Sequence, residues 1–398
     1  MLNIDEPKTN QKIALFNSGF RVFFLAAGLF AVISMLIWVL IYSMNSGPEL
    51  YRFSSLNWHA HEMIYGYTIA VISGFLLTAT TNWTNRKTLT GLSLFIISIF
   101  WVLARVSPFL PFYQNMAMMF LFETLFFIML IVGIGRPVIQ SRQWQQIPVL
   151  LPVILLLITN SLFYAGQWHF VNNGVHIGLY GGFYLILTLI FVMGRRVIPF
   201  FIEKGVDETF SPKNYLWLDR IVIPLFIAYA LTEIFRFSQL ILIVLAVILF
   251  VLNLYRLSGW YTKGIWKKPL LWILFLAYLF ITTGFLLRAL SYFLSISDFL
   301  ILHAYAVGGI GMITIGMMSR VALGHTGRNV FDPPAILNWV FIFILLSAVF
   351  RFILPLFVVS NYMNWIIVSQ ALWIIAFAIF IKLYAVMLIR PRSDGRPG

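Results

Sequence analysis

The chain consists of long apolar runs separated by short polar segments. Each run approaches the roughly 20 residues that a helix needs to span a bilayer. Twelve such runs lie at about 20–42, 58–80, 88–107, 113–135, 148–166, 173–194, 216–235, 238–257, 269–290, 298–320, 335–356 and 363–388. The alternation typical of barrel strands is absent, which leaves helices as the spanning element. The pattern predicts an all-α polytopic integral membrane protein with about twelve transmembrane helices.

The amino-acid composition leaves little room for a soluble domain. Hydrophobic residues occupy 61% of the 398 positions and charged residues only 10%, a balance that a soluble core of this length does not need. We therefore treat residues 1–398 as a single membrane domain. The first apolar run ends in Tyr42-Ser43-Met44 instead of small residues, so we interpret it as a retained helix and not as a signal peptide.

The net charge of +14 is distributed over alternate loops. It is not gathered on a soluble module, which excludes nucleic acid as a partner. One set of loops, with both tails, holds Lys8, Lys12, Arg21, Arg86, Lys87, Arg136, Arg142, Arg195, Arg196, Lys204, Lys213, Arg256, Lys263, Lys267, Lys268, Arg320, Arg328, Arg390, Arg392 and Arg396. The opposite loops hold Arg52 and Arg236. The positive-inside rule predicts that both termini lie in the cytoplasm.

Histidines are the main candidates for metal ligands, because the chain has no cysteine and so no thiolate site. His59, His61, His176 and His303 lie near the outer ends of predicted helices 2, 6 and 10, at similar depth. A single one of them could simply form a structural hydrogen bond, but together they indicate ligation of haem iron or copper. His59 and His61 are roughly 200° apart on a helix, which predicts two sites, one on each side of helix 2.

The spacing of these histidines suggests an internal repeat over residues 20–135, 148–257 and 269–388. Each unit has a glycine five positions after a histidine, namely His61–Gly66, His176–Gly181 and His303–Gly308. Each unit also has an arginine at the outer end of its third helix, namely Arg105, Arg236 and Arg351. Glycine is common in membrane helices, so coincidence is the alternative interpretation.

Three arginines, Arg105, Arg288 and Arg351, lie within apolar stretches near the predicted outer face. Each could reach lipid phosphates from the end of its helix. As a set beside four histidines, they are better interpreted as partners of buried anions, and the two propionates of a haem suit guanidinium groups.

Several polar residues allow two interpretations. Glu62 orients an imidazole or ligates a metal, or else it is a solvated residue at a helix start. Glu123 and Glu233 are intramembrane acids and so candidates for a proton relay or an arginine partner. The spacing of Glu233 and Arg236 predicts a local ion pair, as does the adjacency of Asp219 and Arg220. Three glycines follow His303 in the same helix, namely Gly308, Gly309 and Gly311. They allow either a flat macrocycle or a neighbouring helix to approach the backbone closely.

Three sequence blocks resemble those of the NnrS family. Trp58-His59-Ala60-His61-Glu62-Met63, continued by Gly74 to Ala79, is similar to its helix-2 signature. Met193-Gly194-Arg195-Arg196-Val197-Ile198-Pro199-Phe200-Phe201 resembles the second block. The third is resembled by His303-Ala304 followed by Ser319-Arg320-Val321-Ala322-Leu323-Gly324-His325-Thr326-Gly327-Arg328. The resemblance extends from about Gly19 to helix 12. It implies a bacterial membrane protein that contains haem and copper and is linked to denitrification and to resistance to nitric oxide.

The resemblance and the repeat together suggest an analogy with the main subunit of haem–copper oxidases. Carried over by helix position, the analogy places His61 and His303 on one haem, expected to be of the b type, and His176 at a centre that holds copper or a second haem. Arg105, Arg288 and Arg351 are then the expected partners of the haem propionates. His59, which faces the other side of helix 2, is assigned with His176 to the second centre. Two departures stand out: helix 7 has no histidine, and Tyr305 stands where a further ligand would lie. A three-histidine copper centre is therefore not available, and whether the chain is an enzyme stays open.

Three functional hypotheses follow. The leading one is a haem- and copper-binding protein of the response to nitric oxide and nitrosative stress, whose partner is nitric oxide or a species derived from it. The second is a membrane oxidoreductase or electron carrier that takes electrons from quinol or another donor. The third is a transporter, which the concentration of reactive side chains at one face disfavours.

The charge pattern generates a prediction of topology. Reporter fusions after Gly47 and after Gly264 should report opposite sides of the membrane, with Gly264 in the cytoplasm, because the flanking loops differ so strongly in Lys and Arg content. Alkaline phosphatase and green fluorescent protein fusions at both positions measure this. The same side for both fusions would refute the proposed orientation.

Overall fold

The computed structural model describes residues 13–46, 54–111, 115–206 and 210–395. Lys8, Lys12, Arg52 and Arg396 of the charge pattern, and the fusion position Gly47, lie outside the described residues. Within them the chain forms helices and no β-strand. The helical segments are α1 Gly19–Ser43, α2 Ser55–Thr84, α3 Leu92–Phe109, α4 Asn115–Gln140, α5 Trp144–Gln167, α6 Gly174–Gly205, α7 Leu216–Phe235, α8 Gln239–Trp260, α9 Pro269–Leu290, α10 Asp298–His325, α11 Ile336–Phe357 and α12 Val359–Ile389.

Eleven of these segments are long and apolar enough to cross a membrane, by length and composition, within the described ranges. The remaining segment, α7, has 20 residues but carries Asp219, Arg220 and Glu233. Each segment overlaps one of the apolar runs seen in the sequence. The prediction of an all-α polytopic membrane protein is confirmed.

The chain forms two compact units. Unit 1 comprises residues 1–157, 317–334 and 377–398, and unit 2 comprises residues 158–316 and 335–376. The three predicted repeats, at 20–135, 148–257 and 269–388, and their arrangement as three arcs stay predictions.

In unit 1, helices α1 and α2 pack closely through glycine. A Cβ atom on Gly74 would lie 2.8 Å from the ring of Phe24, and one on Gly19 would lie 2.6 Å from Cβ of Leu77. Small residues at such positions let two membrane helices approach, so that van der Waals contacts replace contacts with lipid. This packing fixes the position of α2, which carries His59 and His61.

Helix α2 changes its winding directly after His61. The α-helical turn Ser55–His61 is followed by a π-helical segment, Glu62–Thr68. The hydroxyl of Thr68 donates to the carbonyl oxygen of Met63 at 2.7 Å. Helix α10 repeats the change, since Asp298–His303 is followed by the π-helical segment Ala304–Gly311. Such π segments re-aim side chains within a helix and are frequent at functional sites.

In unit 2, Asp219 joins three helices. Its carboxylate pairs with Arg195 of α6 and, at 2.9 Å, with Arg256 of α8. Arg256 also donates to the Tyr278 hydroxyl at 2.9 Å. The expected local pair of Asp219 with Arg220 is therefore wrong. Residues adjacent on a helix diverge by about 100°, whereas Arg195 and Arg256 reach the carboxylate from neighbouring helices.

Helices α5 and α6 meet at Gly178, where the contact is with backbone. A Cβ atom there would lie 2.7 Å from both N and Cα of Phe163. We expect Gly178→Ala to lower the free energy of unfolding by about 1–3 kcal/mol, because backbone cannot move aside as a side chain can. Thermal unfolding in detergent, followed by size-exclusion chromatography, measures this.

The matched control is Gly135→Ala, whose added Cβ would meet a Leu150 side chain at 3.6 Å, an ordinary contact. Its unfolding temperature should stay close to that of the wild type. Equal behaviour of the two variants would show that α5 and α6 are not packed this closely.

Candidate metal centre

The wholly buried His61 lies between two buried carboxylates in unit 1. Its Nδ1 atom is 3.2 Å from Oε1 of Glu62, and its Nε2 atom is 3.5 Å from Oε2 of Glu123. Glu62 is 1% and Glu123 is 3% exposed. One donor atom from each of the three residues can be chosen such that all lie within 4.8 Å of one another, a separation that the ligands of a single metal ion can have.

Arg105 neutralises part of this charge. Its Nε atom is 3.2 Å from Oε2 of Glu62, and its Nη2 atom pairs with Oε1 of Glu123. Two ionised carboxylates, one guanidinium and a neutral imidazole sum to one negative charge. Because a buried charge is costly unless it is compensated, this group of four side chains favours a further cation.

The backbone of α2 makes room for the arginine at Gly66. A Cβ atom at this position would lie 2.7 Å from Nη1 of Arg105 and 2.8 Å from Oε2 of Glu62. The indole of Trp101 donates to the Gly66 carbonyl oxygen at 3.1 Å, which holds α3 against the π segment. The glycine five positions after His61 thus has a local role, because it lets Arg105 reach both carboxylates.

The donor set fits a transition-metal ion. A carboxylate close to Nδ1 of His61 accepts the ring proton, which leaves a lone pair on Nε2, on the side of Glu123. This carboxylate–histidine arrangement is the usual support of a metal-bound imidazole. Imidazole together with carboxylate oxygen suits divalent iron, copper or zinc. The residues present therefore fit a metal ion held by His61 and Glu123, with Glu62 as a ligand or as the orienting group.

His59 has different surroundings from His61. Its ring stacks on Trp38 with 4.2 Å between the ring centroids and 8° between the planes. The sequence predicted that the two histidines face different sides of α2, and their neighbours differ accordingly. The assignment of His59 to a second centre stays a prediction.

His303 in unit 2 is prepared for ligation through Nε2. Its Nδ1 atom lies 2.6 Å from the carbonyl oxygen of Phe299. A carbonyl oxygen can only accept, so Nδ1 carries the proton and Nε2 carries the lone pair that a metal needs. The residues present thus fit an axial ligand of haem iron at this position.

The glycines after His303 serve helix packing. Added Cβ atoms on Gly308, Gly309 and Gly311 would come within 3 Å of three side chains, those of Phe280, Ile281 and Trp373. Of the two interpretations that the sequence allowed, the structure supports close helix contact.

Arg288 forms the charged centre of unit 2. Its Nη2 atom lies 2.6 Å from Oε1 of Glu233, and its Nη1 atom lies 2.6 Å from Oδ1 of Asp298. Glu233 therefore pairs with Arg288. The local pair with Arg236, which the sequence spacing predicted, is wrong. Arg236 follows the last residue of α7 and adopts a left-handed conformation, so the periodicity of the helix does not extend to it.

Two further predicted site residues have local partners in unit 2. The Nε2 atom of His176 lies 3.1 Å from the carbonyl oxygen of Ile234, and its ring packs on Tyr180. Arg351 contacts the hydroxyl of Tyr362 at 3.4 Å. These contacts hold the side chains in position. Copper binding by His176 and propionate binding by Arg351 stay predictions.

The comparison with known families covers nearly the whole chain. A family model described as NnrS protein matches residues 14–392. The chain belongs to the NnrS family. No curated protein matches it. In this NnrS chain the first sequence block supplies His61 and Glu62 to the buried centre, and the second supplies Arg195 to the Asp219 pair.

The structure places the predicted site residues of the NnrS chain in both units. His59, His61 and Arg105 belong to unit 1, whereas His176, His303, Arg288 and Arg351 belong to unit 2. The assignment of His61 and His303 to one haem, like the propionate roles of the arginines, stays a prediction.

Glu123 is the principal site residue that sequence reasoning did not place beside His61, although its alternative as an arginine partner is confirmed by the pair with Arg105. It lies 62 positions from His61, so no local pattern links the two, and the only signal was an acid within an apolar run. Asp298, the second partner of Arg288, gave no comparable signal because it begins a helix, where acids are ordinary.

Removal of the Arg105 charge tests whether its guanidinium group neutralises the two buried carboxylates. We expect Arg105→Gln to destabilise the protein by about 3–5 kcal/mol, because Glu62 and Glu123 then remain buried without their counter-charge. Arg105→Lys keeps the charge but loses the guanidinium geometry, so it should be intermediate. Thermal unfolding in detergent measures all three proteins.

The control is Arg136→Gln, which removes an exposed arginine from α4 and should leave the unfolding temperature nearly unchanged. If Arg105→Gln is as stable as this control, the two carboxylates are not held as ions by Arg105.

Proposed function

We propose that this NnrS-family chain is a multi-pass protein of the bacterial cytoplasmic membrane that binds haem and copper and acts in the response to nitric oxide and in denitrification. Its ligand in this proposal is nitric oxide or a species derived from it. The observation that carries the proposal is the buried centre of His61, Glu62 and Glu123, a set of metal donors inside an apolar helix bundle.

The three donors of the buried centre favour copper in its divalent state, or iron, as the ion held in unit 1. His61 would bind through Nε2 and Glu123 through Oε2, while Arg105 would keep both carboxylates ionised. A bound copper ion or haem iron would supply coordination of nitric oxide, which protein side chains do not provide.

His303 is the favoured haem ligand, because its Nδ1 atom is already bound to a carbonyl oxygen. Haem ligation by His61 as well requires that Glu123 leave the Nε2 side of the ring. A metal ion held by His61 and the two carboxylates requires no such displacement. The two arrangements, a His61–His303 haem and a separate copper ion at His61, make different predictions for variants.

A membrane oxidoreductase that receives electrons from quinol or another donor is the second candidate. The hydroxyls of Tyr229 and Tyr305 lie 3.2 Å apart in the interior of unit 2, and the Arg288 guanidinium interacts with Tyr229. Hydrogen-bonded phenols beside an arginine and a carboxylate are groups that can carry protons during electron transfer.

Metal analysis and an optical spectrum test the proposal directly. The protein, expressed with adequate haem and copper, should contain both. His303→Ala should lose the haem spectrum while the protein still inserts. If His61 shares that haem, His61→Ala should lose the spectrum as well. If His61 binds copper instead, His61→Ala and Glu123→Gln should lose copper and keep the haem.

The control is His169→Asn, because His169 is exposed and has a positive φ of 61° that asparagine tolerates. It should keep both metals. A colourless wild-type protein without metal would refute the proposal, and retention of haem in His303→Ala would refute the ligand assignment.

A further inference from the structure

A group of arginines lies in unit 1, outside the metal centre. It consists of Arg21 at the start of α1, Arg328 after α10 and Arg392 after α12, and we call it the arginine clasp. The charges of Arg328 and Arg392 both lie close enough to Arg21 to repel its charge. The clasp includes the last residue of the third sequence block, Arg328, for which the metal centre provides no role.

The side chain of Arg21 is completely buried. Its Nη1 atom donates to the carbonyl oxygens of Leu388 at 3.0 Å and Arg390 at 2.7 Å, at the C-terminal end of α12. Its Nε and Nη2 atoms are also buried and have no hydrogen-bond partner among the described residues. Buried donors are almost always satisfied, and the penalty is largest for charged groups. These two N–H groups therefore point to an acceptor that is not part of the described chain.

Among the described residues, carboxylates balance only one of the three charges of the clasp. Arg392 binds Asp394 through Nε at 2.9 Å and Nη2 at 2.6 Å. Neither Arg21 nor Arg328 has a carboxylate within ion-pair distance in the described part of the chain. Within the described ranges, two guanidinium charges are thus left uncompensated beside each other, and that of Arg21 is fully buried. An anion would relieve both the repulsion and the unsatisfied donors.

The third sequence block and the C-terminal tail are folded together at the clasp. Arg392 donates to the carbonyl oxygen of His325 at 3.2 Å, and the Ser393 hydroxyl donates to that of Gly327 at 3.0 Å. The ring of Phe20 packs against His325 with centroids 5.4 Å apart. Side-chain contacts to backbone from three separate segments hold the arginines in place. Such an arrangement is expected of a preformed binding site.

We propose that the arginine clasp binds a phosphate group. Phosphate has several acceptor oxygens and matches the paired donors of guanidinium groups. The clasp lies where helices α1, α10 and α12 begin or end, which is the level at which a membrane presents phospholipid headgroups. The phosphate comes either from such a headgroup or from free phosphate in solution. The proposal does not depend on metal binding by His61 or His303.

The experiment compares wild type with Arg328→Gln, Arg392→Gln and the control Arg86→Gln. Arg86 is exposed, and its guanidinium group donates to the side chain of Gln140. In the first arm, native mass spectrometry of the full chain in mild detergent measures retained phospholipid. In the second, delipidated protein is heated with inorganic phosphate or with chloride at equal ionic strength. Arg21→Lys, which keeps the charge but loses the guanidinium donors, is added where it folds.

A headgroup source predicts that wild type and Arg86→Gln retain one phospholipid, and that Arg328→Gln and Arg392→Gln retain about fivefold less, the usual effect of one basic residue at an anionic membrane surface. A free-phosphate source predicts no retained lipid but a higher unfolding temperature in phosphate, reduced in the same two variants. The proposal is overturned if the clasp variants behave like Arg86→Gln in both arms.

Discussion

A charge inside a helix bundle in hydrocarbon has to be neutralised, because its surroundings solvate ions poorly and cannot screen them. The structure meets this constraint with ion pairs in which one charged residue joins two partners of opposite sign. In unit 1, Arg105 lies between Glu62 and Glu123. In unit 2, Arg288 joins Glu233 and Asp298, and Asp219 joins Arg195 and Arg256. Each of these groups connects different helices, so charge compensation also fixes helix positions.

The same constraint explains why the candidate metal centre favours a cation whereas the arginine clasp favours an anion. At His61 the chain supplies one carboxylate more than it supplies guanidinium groups, so the imbalance is negative and suits a cation. At the clasp, Arg21 and Arg328 have no carboxylate partner in the part of the chain that the structure describes, so the imbalance there is positive and suits an anion. A buried imbalance that the fold maintains indicates a ligand of the opposite sign, because a fold without one would gain stability by losing the excess charge.

The backbone geometry changes at both His61 and His303. Both His61 and His303 are the last α-helical residues before a π-helical segment. The wider turn shifts the residues that follow, and in α2 it presents Gly66 to the Arg105 side chain. In α10 the corresponding glycine, Gly308, instead accommodates Phe280. The same local change therefore supports a charged centre in one unit and aromatic packing in the other.

The sequence by itself determined the helices, because bilayer thickness and the need to satisfy every backbone polar group act on each apolar run separately. It also determined the family and pointed to His61 as a candidate ligand, since local sequence blocks carry both signals. Only the tertiary structure decided which charges meet. Glu123, 62 positions from His61, completes the centre, and Glu233 binds Arg288 from another helix although Arg236 is three residues away. Sequence spacing describes neighbours along one regular helix, whereas a charge in hydrocarbon pairs with the group that helix packing places beside it.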